Sequence, residues 1–168
     1  RCGRGYSLFW SRLYNVLLFT AALVAVPFYG SKMLLTGKYR KSIGPKFGRI
    51  PGDIVSRLHE AGTPRIWLHA VSVGEVTAAA PIVAALRSRF PGAGLILSTS
   101  TETGQEMARN LVNDATAHIY YPIDIPCIVR NVLDRVRPDV FVPVETELWP
   151  NFIRICRERG VRVVMANG

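Results

Sequence analysis

The first fifty residues lack acidic side chains altogether. Residues 1–50 contain nine Lys or Arg and no Asp or Glu, whereas residues 51–168 contain twelve of each kind. The net charge of +9 therefore belongs to the N-terminal segment. A nucleic-acid-binding domain would carry its basic residues on its folded surface, so we expect no nucleic-acid partner. Basic residues beside an apolar run instead suit the anionic lipids of a membrane surface.

Several signatures of binding and catalysis are also missing. The three cysteines, Cys2, Cys127 and Cys156, are far apart and odd in number. This spacing excludes a disulfide framework and a CxxC zinc site, and it favours a reducing compartment. No GxGxxG, Walker A, HExxH or GxSxG pattern occurs. Simple dinucleotide-binding, P-loop, zincin and serine-hydrolase functions are thereby excluded.

A long uncharged stretch follows the first arginines. Residues 13–31 carry no charge, and as a helix they would be about 28 Å long, close to the hydrocarbon thickness of a bilayer. More positive charge follows this stretch than precedes it, which places the remainder of the chain in the cytoplasm. We predict a basic membrane-anchor segment over residues 1–50 and a folded domain over residues 51–168.

The apolar stretch has two other interpretations. A cleaved signal peptide fits less well, because no small-residue cleavage site follows the stretch and Pro27 interrupts it. A segment that lies in the membrane interface instead of spanning the bilayer remains open. Either an anchor or an interfacial segment keeps the protein on the membrane.

Beyond Pro64, short apolar runs alternate with segments whose apolar residues recur every three to four positions. This alternation predicts an α/β fold, a Rossmann-like parallel sheet flanked by helices. The predicted strands are 65–71, 94–100, 118–123, 139–145 and a buried strand at 161–166. The predicted helices are 76–90, 102–113, 126–137 and 148–160. Because proline lacks the N–H that a helix interior needs, Pro81 predicts a kink or a helix start near Thr77.

The turn after the first predicted strand is a candidate site, because ligands bind outside the carboxyl ends of strands in open parallel sheets. Gly74 permits a tight turn, the amides of the next helix can face a ligand, and Glu75 can accept a proton. The alternative is that Glu75 is a first-turn glutamate that the helix dipole favours.

A second acidic turn follows the fourth predicted strand. Glu145 and Glu147 straddle the strand end, before an aromatic residue and a proline that starts a helix. Glu145 would point into the ligand crevice or into the first site. The alternative explanation is helix capping, in which Thr146 or Glu147 satisfies the free amides of the helix and Trp149 packs on the sheet.

Two further features are open to more than one explanation. The hydroxyl-rich loop from Ser98 to Ala108 could hold a phosphate or sugar hydroxyls, although a helix start capped by Thr101 explains it equally well. His69 lies within the first predicted strand. We expect it to be a core or supporting residue more readily than a ligand, since no second histidine is close in sequence.

Five segments together carry a family resemblance. In chain order they are WLHAVSVGEV, LSTSTETG, YPIDIP, RPDVFVPVETELWPN and VVMANG, behind an apolar N-terminus that ends in GKYR and FGRI. The sequence from Leu13 to Gly168 resembles the Kdo (3-deoxy-D-manno-octulosonic acid) transferases of lipopolysaccharide inner-core synthesis. The resemblance implies the acceptor-binding N-terminal half of a GT-B glycosyltransferase at the cytoplasmic face of the bacterial inner membrane. The C-terminal donor-binding domain would be missing from this chain.

The resemblance also implies a chemistry. Such enzymes transfer Kdo from CMP-Kdo to a lipid A precursor with inversion, and we expect no cofactor and no metal. Glu75 would be the general base, and Glu145 would position groups or contribute electrostatically. The other residues expected to bind substrate are Ser72, Gly74, Thr101, Thr103, Gly104, Glu147 and Asn151. The alternatives are another membrane-associated GT-B glycosyltransferase and a non-enzymatic, membrane-tethered α/β binding module.

Overall fold

The computed structural model describes residues 12–18, 20, 23, 40–146 and 149–166. The chain divides into two compact units, residues 1–41 and residues 42–168. In the first unit, residues 12–18 are helical, and the Thr20 hydroxyl donates to the Val16 carbonyl oxygen at 2.8 Å. Among the described residues of this unit, Leu13, Val16, Leu17 and Leu23 are exposed large apolar side chains.

The predicted membrane anchor is not confirmed. Among the described residues, no helix combines the length and the apolar content that crossing a bilayer requires. The predicted apolar segment, residues 13–31, is described only at residues 13–18, 20 and 23. The rest of this prediction lies outside the described residues.

The second unit alternates helices and strands. The helices are α1 (Arg40–Lys46, which begins at the junction of the two units), α2 (Gly52–Glu60), α3 (Val73–Arg89), α4 (Glu102–Leu111), α5 (Pro126–Val136) and α6 (Pro150–Glu158). The strands are β1 (Gly62–His69), β2 (Ala93–Thr99), β3 (Ala117–Tyr120), β4 (Val140–Pro143) and β5 (Arg162–Val163).

The five strands form one parallel sheet in the order β3-β2-β1-β4-β5. β1 is central, and its last residue, His69, pairs with Ser98 of β2 on one side and with Pro143 of β4 on the other. The α/β class and the Rossmann-like parallel sheet with flanking helices are thereby confirmed. Because β1, β2 and β4 are in register at this end, the turns that follow them lie at the same edge of the sheet.

An apolar core covers each face of the sheet. On one face Trp67 is fully buried and meets Phe141 and Phe152 edge to face, with ring centroids 5.9 and 5.2 Å apart. Its indole N–H donates to the Ser98 hydroxyl at 2.8 Å. On the other face the buried side chains of α3 and α4 cover β1 and β2. Both faces are apolar because helices cover both sides of a parallel sheet.

Two local predictions need correction. α3 begins at Val73 and contains Pro81, so of the two alternatives predicted at Pro81 the helix start near Thr77 is wrong, and the kink stays a prediction. A complete N-terminal cap at Ser72 fixes the earlier start. The strand predicted as buried at 161–166 is only two residues long, and residues 162–166 are exposed. An apolar run cannot distinguish a strand inside a sheet from one at its edge, since both positions favour β-branched residues.

Candidate active site at the carboxyl edge of the sheet

The turns predicted to carry chemistry meet at the carboxyl edge of the sheet. The Ala70 N–H donates to the Ser98 carbonyl oxygen, and the Val144 N–H donates to the His69 carbonyl oxygen, both at 2.9 Å. These bonds continue the ladder beyond the last paired residues of β1 and β4. They hold the turns after β2 and β4 directly beside the turn that contains Glu75.

Glu75 closes a capping box at the start of α3. Its N–H donates to the Ser72 hydroxyl at 3.3 Å, and Oε1 accepts the Ser72 N–H at 3.1 Å. Oε2 accepts the Val71 N–H at 2.8 Å, and the residue is only 7% exposed. Glu75 therefore does cap α3. Capping does not exclude a chemical role, since a carboxylate has about four lone-pair sites and these bonds occupy two.

Gly74 leaves the first turn of α3 open. The glycines of the described region that have a positive φ are Gly48 and Gly160. Gly74 is not among them, so the predicted tight turn does not require a glycine here. A Cβ on Gly74 would contact only the Ser72 hydroxyl, at 3.9 Å. The missing side chain keeps this helix terminus accessible beside Glu75.

Gly104 allows two turns to pack closely against each other. A Cβ here would lie 2.8 Å from the Thr101 hydroxyl and 3.5 Å from the Val71 carbonyl oxygen. Thr101 caps α4 by accepting the Gly104 N–H at 3.0 Å, as the capping alternative predicted. The Thr103 hydroxyl is exposed and donates to the Thr101 hydroxyl at 3.4 Å. The absence of a side chain at Gly104 therefore brings the hydroxyl-rich loop against the turn before Glu75.

The loop between β4 and α6 presents its first acidic residue to solvent. Glu145 and Thr146 are exposed, while Glu147 lies outside the described residues. Trp149 is partly buried and packs against the core, with its ring 5.5 Å from that of Tyr121. The packing explanation for Trp149 is therefore confirmed.

The cap of α6 comes from Asp124, a residue for which the sequence predicted no role. Trp149 is the residue before α6 and its side chain makes no capping bond. Instead, the Asp124 carboxylate accepts the N–H groups of Asn151 and Phe152 at 3.0 and 2.8 Å. The Asn151 side chain is 1% exposed and donates to the Asp124 carbonyl oxygen at 2.7 Å. The motif YPIDIP contains this aspartate, but sequence gives no sign that it caps a helix 26 residues away.

His69 is a buried, neutral imidazole at the end of β1. It is 1% exposed, and its ring stacks on that of Tyr121 at 3.9 Å between centroids. Nδ1 lies 2.9 Å from the Ser98 hydroxyl, and Nε2 has no hydrogen-bond partner in the described part of the chain. Burial lowers its pKa from 6.5 to about 4, although the Ser98 carbonyl and the nearby Glu75 act in the opposite direction. The expected core position is confirmed.

Acidification should destabilise the fold through His69. The unfolded chain takes up a proton near pH 6.5 and the folded chain only near pH 4, so stability falls between these values. From pH 7.5 to pH 5 this residue alone should remove about 2 kcal/mol from the free energy of unfolding. Urea unfolding of wild type and His69→Phe at both pH values measures the effect. If the free energies of unfolding of the two proteins differed by the same amount at both pH values, this prediction would be contradicted.

A cavity of about 510 Å³ lies at the opposite, amino edge of the sheet. Its arginines are engaged within the protein, with Arg65 donating to the Arg137 carbonyl oxygen and Arg159 paired with Asp134. The carboxylates and helix N-termini of the candidate site lie at the other edge. No group of three or more His, Cys, Asp or Glu that could hold a metal occurs among the described residues.

The sequence matches a known family over most of its length. Residues 41–168 match the family model of the 3-deoxy-D-manno-octulosonic-acid transferases (Kdo transferases). The chain belongs to this family. The resemblance predicted from the sequence segments is thereby confirmed, and family members are glycosyltransferases.

Individual relatives agree with the family match. The chain is 31% identical to the 3-deoxy-D-manno-octulosonic acid transferase of Chlamydia pneumoniae, over 98% of this chain and 37% of that protein. It is 30% identical to that of Haemophilus influenzae, over 94% of this chain and 36% of that protein. The chain is 29% identical to a bifunctional glycosyltransferase/methyltransferase of Fusobacterium nucleatum, over 93% of this chain and 23% of that protein. The chain thus spans little more than a third of the length of these Kdo transferases.

Proposed function

We propose that the protein containing this chain transfers Kdo from CMP-Kdo to a lipid A precursor, and that this chain is its acceptor-binding part. Membership of the Kdo transferase family supports the proposal. The observation that carries it is a buried carboxylate, Glu75, beside an open helix N-terminus at the carboxyl edge of the sheet. A general base of a transferase needs such a place, because surrounding protein can orient it and limit its access to water.

Glu75 is the proposed general base. As the acceptor hydroxyl oxygen forms a bond to the Kdo anomeric carbon, the hydroxyl proton passes to a free lone pair of the Glu75 carboxylate. The bond from that carbon to the phosphate oxygen of CMP breaks, and CMP leaves with the bonding electrons. Attack opposite the leaving group inverts the anomeric configuration. The backbone N–H groups of Val71 and Ser72 hold the carboxylate in orientation throughout.

The other proposed residues surround Glu75. Glu145, exposed after β4, would orient groups or stabilise charge in the cleft. The open first turn of α3 supports a ligand role for Ser72 and Gly74, and the exposed Thr103 hydroxyl supports one for the α4 turn. Substrate binding by Thr101, Gly104, Glu147 and Asn151 stays a prediction. The proposed reaction needs neither a cofactor nor a metal.

We further propose that the protein acts on the cytoplasmic face of the inner membrane, held there by its N-terminal segment. The exposed aliphatic side chains of Leu13, Val16, Leu17 and Leu23 support contact with lipid. The nine basic residues of the first fifty support attraction to anionic lipid phosphates. The acceptor is itself a phosphorylated lipid, so an enzyme at the membrane surface would meet it there.

A transfer assay tests the proposed function. The full-length gene product is incubated with CMP-Kdo and a lipid A precursor in detergent, and the mass of the lipid product is measured by mass spectrometry. We expect the acceptor mass to increase by Kdo residues and CMP to be released in equal amount. A matched reaction with a dephosphorylated, deacylated disaccharide tests the acceptor class. Release of CMP without a gain in acceptor mass would refute the transfer.

A further inference from the structure

Asp124 makes an unusual set of contacts for a loop residue. It lies between β3 and α5, is 1% exposed, and directs its carboxylate at another helix. Oδ2 accepts the Asn151 N–H at 3.0 Å and Oδ1 accepts the Phe152 N–H at 2.8 Å. The Asn151 amide returns a bond to the Asp124 carbonyl oxygen at 2.7 Å. Three hydrogen bonds thus join this loop to the start of α6.

These bonds satisfy the start of α6 completely. The first turn of a helix has N–H groups without partners inside the helix. Pro150 has no N–H, and Ile153 donates to the Trp149 carbonyl oxygen at 3.0 Å. The groups left over are those of Asn151 and Phe152, and Asp124 accepts both. The negative charge also suits the positive end of the helix dipole.

The loop that holds Asp124 is itself fixed. The Tyr121 N–H donates to the Thr99 carbonyl oxygen at 2.9 Å, and the Ile123 N–H donates to the Lys46 carbonyl oxygen at 3.0 Å. Proline residues at 122 and 126 restrict the backbone on either side. Asp124 therefore ties α6 to a rigid part of the carboxyl edge.

The chain between β4 and α6 is hydrogen-bonded on both sides of Glu145. At its start, the Val144 N–H donates to the His69 carbonyl oxygen at 2.9 Å, which joins it to the strand leading to Glu75. At its end, Asp124 fixes the first turn of α6. Glu145 lies between these two points and is exposed, so its own side chain does not determine where this segment sits.

We propose that Asp124 is a positioning residue of the active site: by capping α6 it anchors the chain that leads back to Glu145, and so holds that carboxylate beside the turn of Glu75. This inference rests on the proposed function, since it assigns Glu145 a part in the transfer. Asp124 touches neither substrate nor the reacting atoms and acts only through the segment. A misplacement of about 1 Å can cost about 100-fold in rate, so a cap at this place can govern turnover.

A double-mutant cycle in the full-length gene product separates positioning from simple stabilisation. Asp124→Asn should lower kcat for Kdo transfer about 10- to 100-fold and change KM less than about threefold, because the acceptor still binds. In a Glu145→Gln background the same change should lower kcat less than about threefold, since the carboxylate that the cap positions is then absent. Equal losses in both backgrounds, or an unchanged kcat in Asp124→Asn, would overturn the proposal.

Two further variants guard against a trivial loss of folding. Asp139 also accepts a backbone N–H, that of Arg65 at 2.7 Å, but at the amino edge of the sheet. Asp139→Asn should leave kcat unchanged, which controls for the loss of a carboxylate that accepts a backbone N–H. Asp124→Ala removes both oxygen acceptors, whereas Asp124→Asn keeps one, and we expect the kcat of the Ala variant to be no higher than that of Asp124→Asn. An Ala variant with the kcat of wild type, at equal folded fraction by circular dichroism, would count against the cap.

Hydrogen exchange gives a readout that does not need turnover. In Asp124→Asn, the amides of Val144, Asn151 and Phe152 should exchange faster, while those of β1 and β2 should not. If these amides are unaffected, the positioning role is refuted whatever the activity. If wild type transfers no Kdo at all, the proposed function fails, and the exchange result alone then decides whether Asp124 orders this segment.

Discussion

Replacing Glu75 by glutamine should lower kcat for Kdo transfer about 100- to 10,000-fold, the usual contribution of a general base. Glutamine has nearly the size of glutamate but cannot take the hydroxyl proton. It also disturbs the cap, because its NH₂ group would face one of the two N–H donors that the carboxylate now accepts. A stability cost of about 1–3 kcal/mol should therefore accompany the loss of activity.

The measurement must separate these two effects. Steady-state transfer by the full-length gene product, with CMP-Kdo and the lipid acceptor varied in turn, gives kcat, and urea unfolding gives stability. Asp139→Asn removes a carboxylate that accepts a backbone N–H at the opposite edge of the sheet, and it should retain full turnover. A Glu75→Gln enzyme with the kcat of wild type would leave Glu75 as a helix cap only.

Truncation of Trp67 should produce the largest loss of stability among single substitutions in the sheet. The side chain is fully buried and lies edge to face with Tyr121, Phe141 and Phe152. Trp67→Ala should cost about 3–5 kcal/mol, since neighbouring rings cannot fill the space of an indole. Such a loss is a large part of the about 5–15 kcal/mol that holds most domains folded.

Trp67→Phe is the matched control. It keeps an aromatic ring between these neighbours but loses the N–H that donates to the Ser98 hydroxyl. Ser98 retains the Leu68 carbonyl oxygen and the His69 ring within reach, so we expect a loss of only about 1–2 kcal/mol. Urea unfolding followed by circular dichroism measures both. Equal costs for the two variants would show that ring packing contributes little.

The architecture followed from sequence because its signals are local. The alternation of apolar runs with segments of helical periodicity located all five strands and the four helices that follow β1. The caps at Ser72 and Thr101 were also within reach, because a capping residue and its amide partner are three residues apart. Such features depend on neighbours along the chain, which a sequence displays directly.

Other features depended on which elements become neighbours in space. The apolar run VRVV forms an edge strand with exposed residues, a position that only the order of the sheet defines. Asn151 turned out to be buried against the loop of Asp124, although its motif suggested a ligand. The two short helices before β1, α1 and α2, were not predicted from the sequence either. The only fully buried residue of α2 is Leu58.

The sequence by itself determined the fold class, the family and the two acidic turns, because periodicity and motifs are properties of consecutive residues. Only the tertiary structure decided that Asp124 caps α6, that Gly104 permits the close approach of two turns, and that His69 is neutral. Each of these depends on groups brought together from distant parts of the chain. Burial and hydrogen bonding of that kind arise only once the sheet has set the distances between its strand ends.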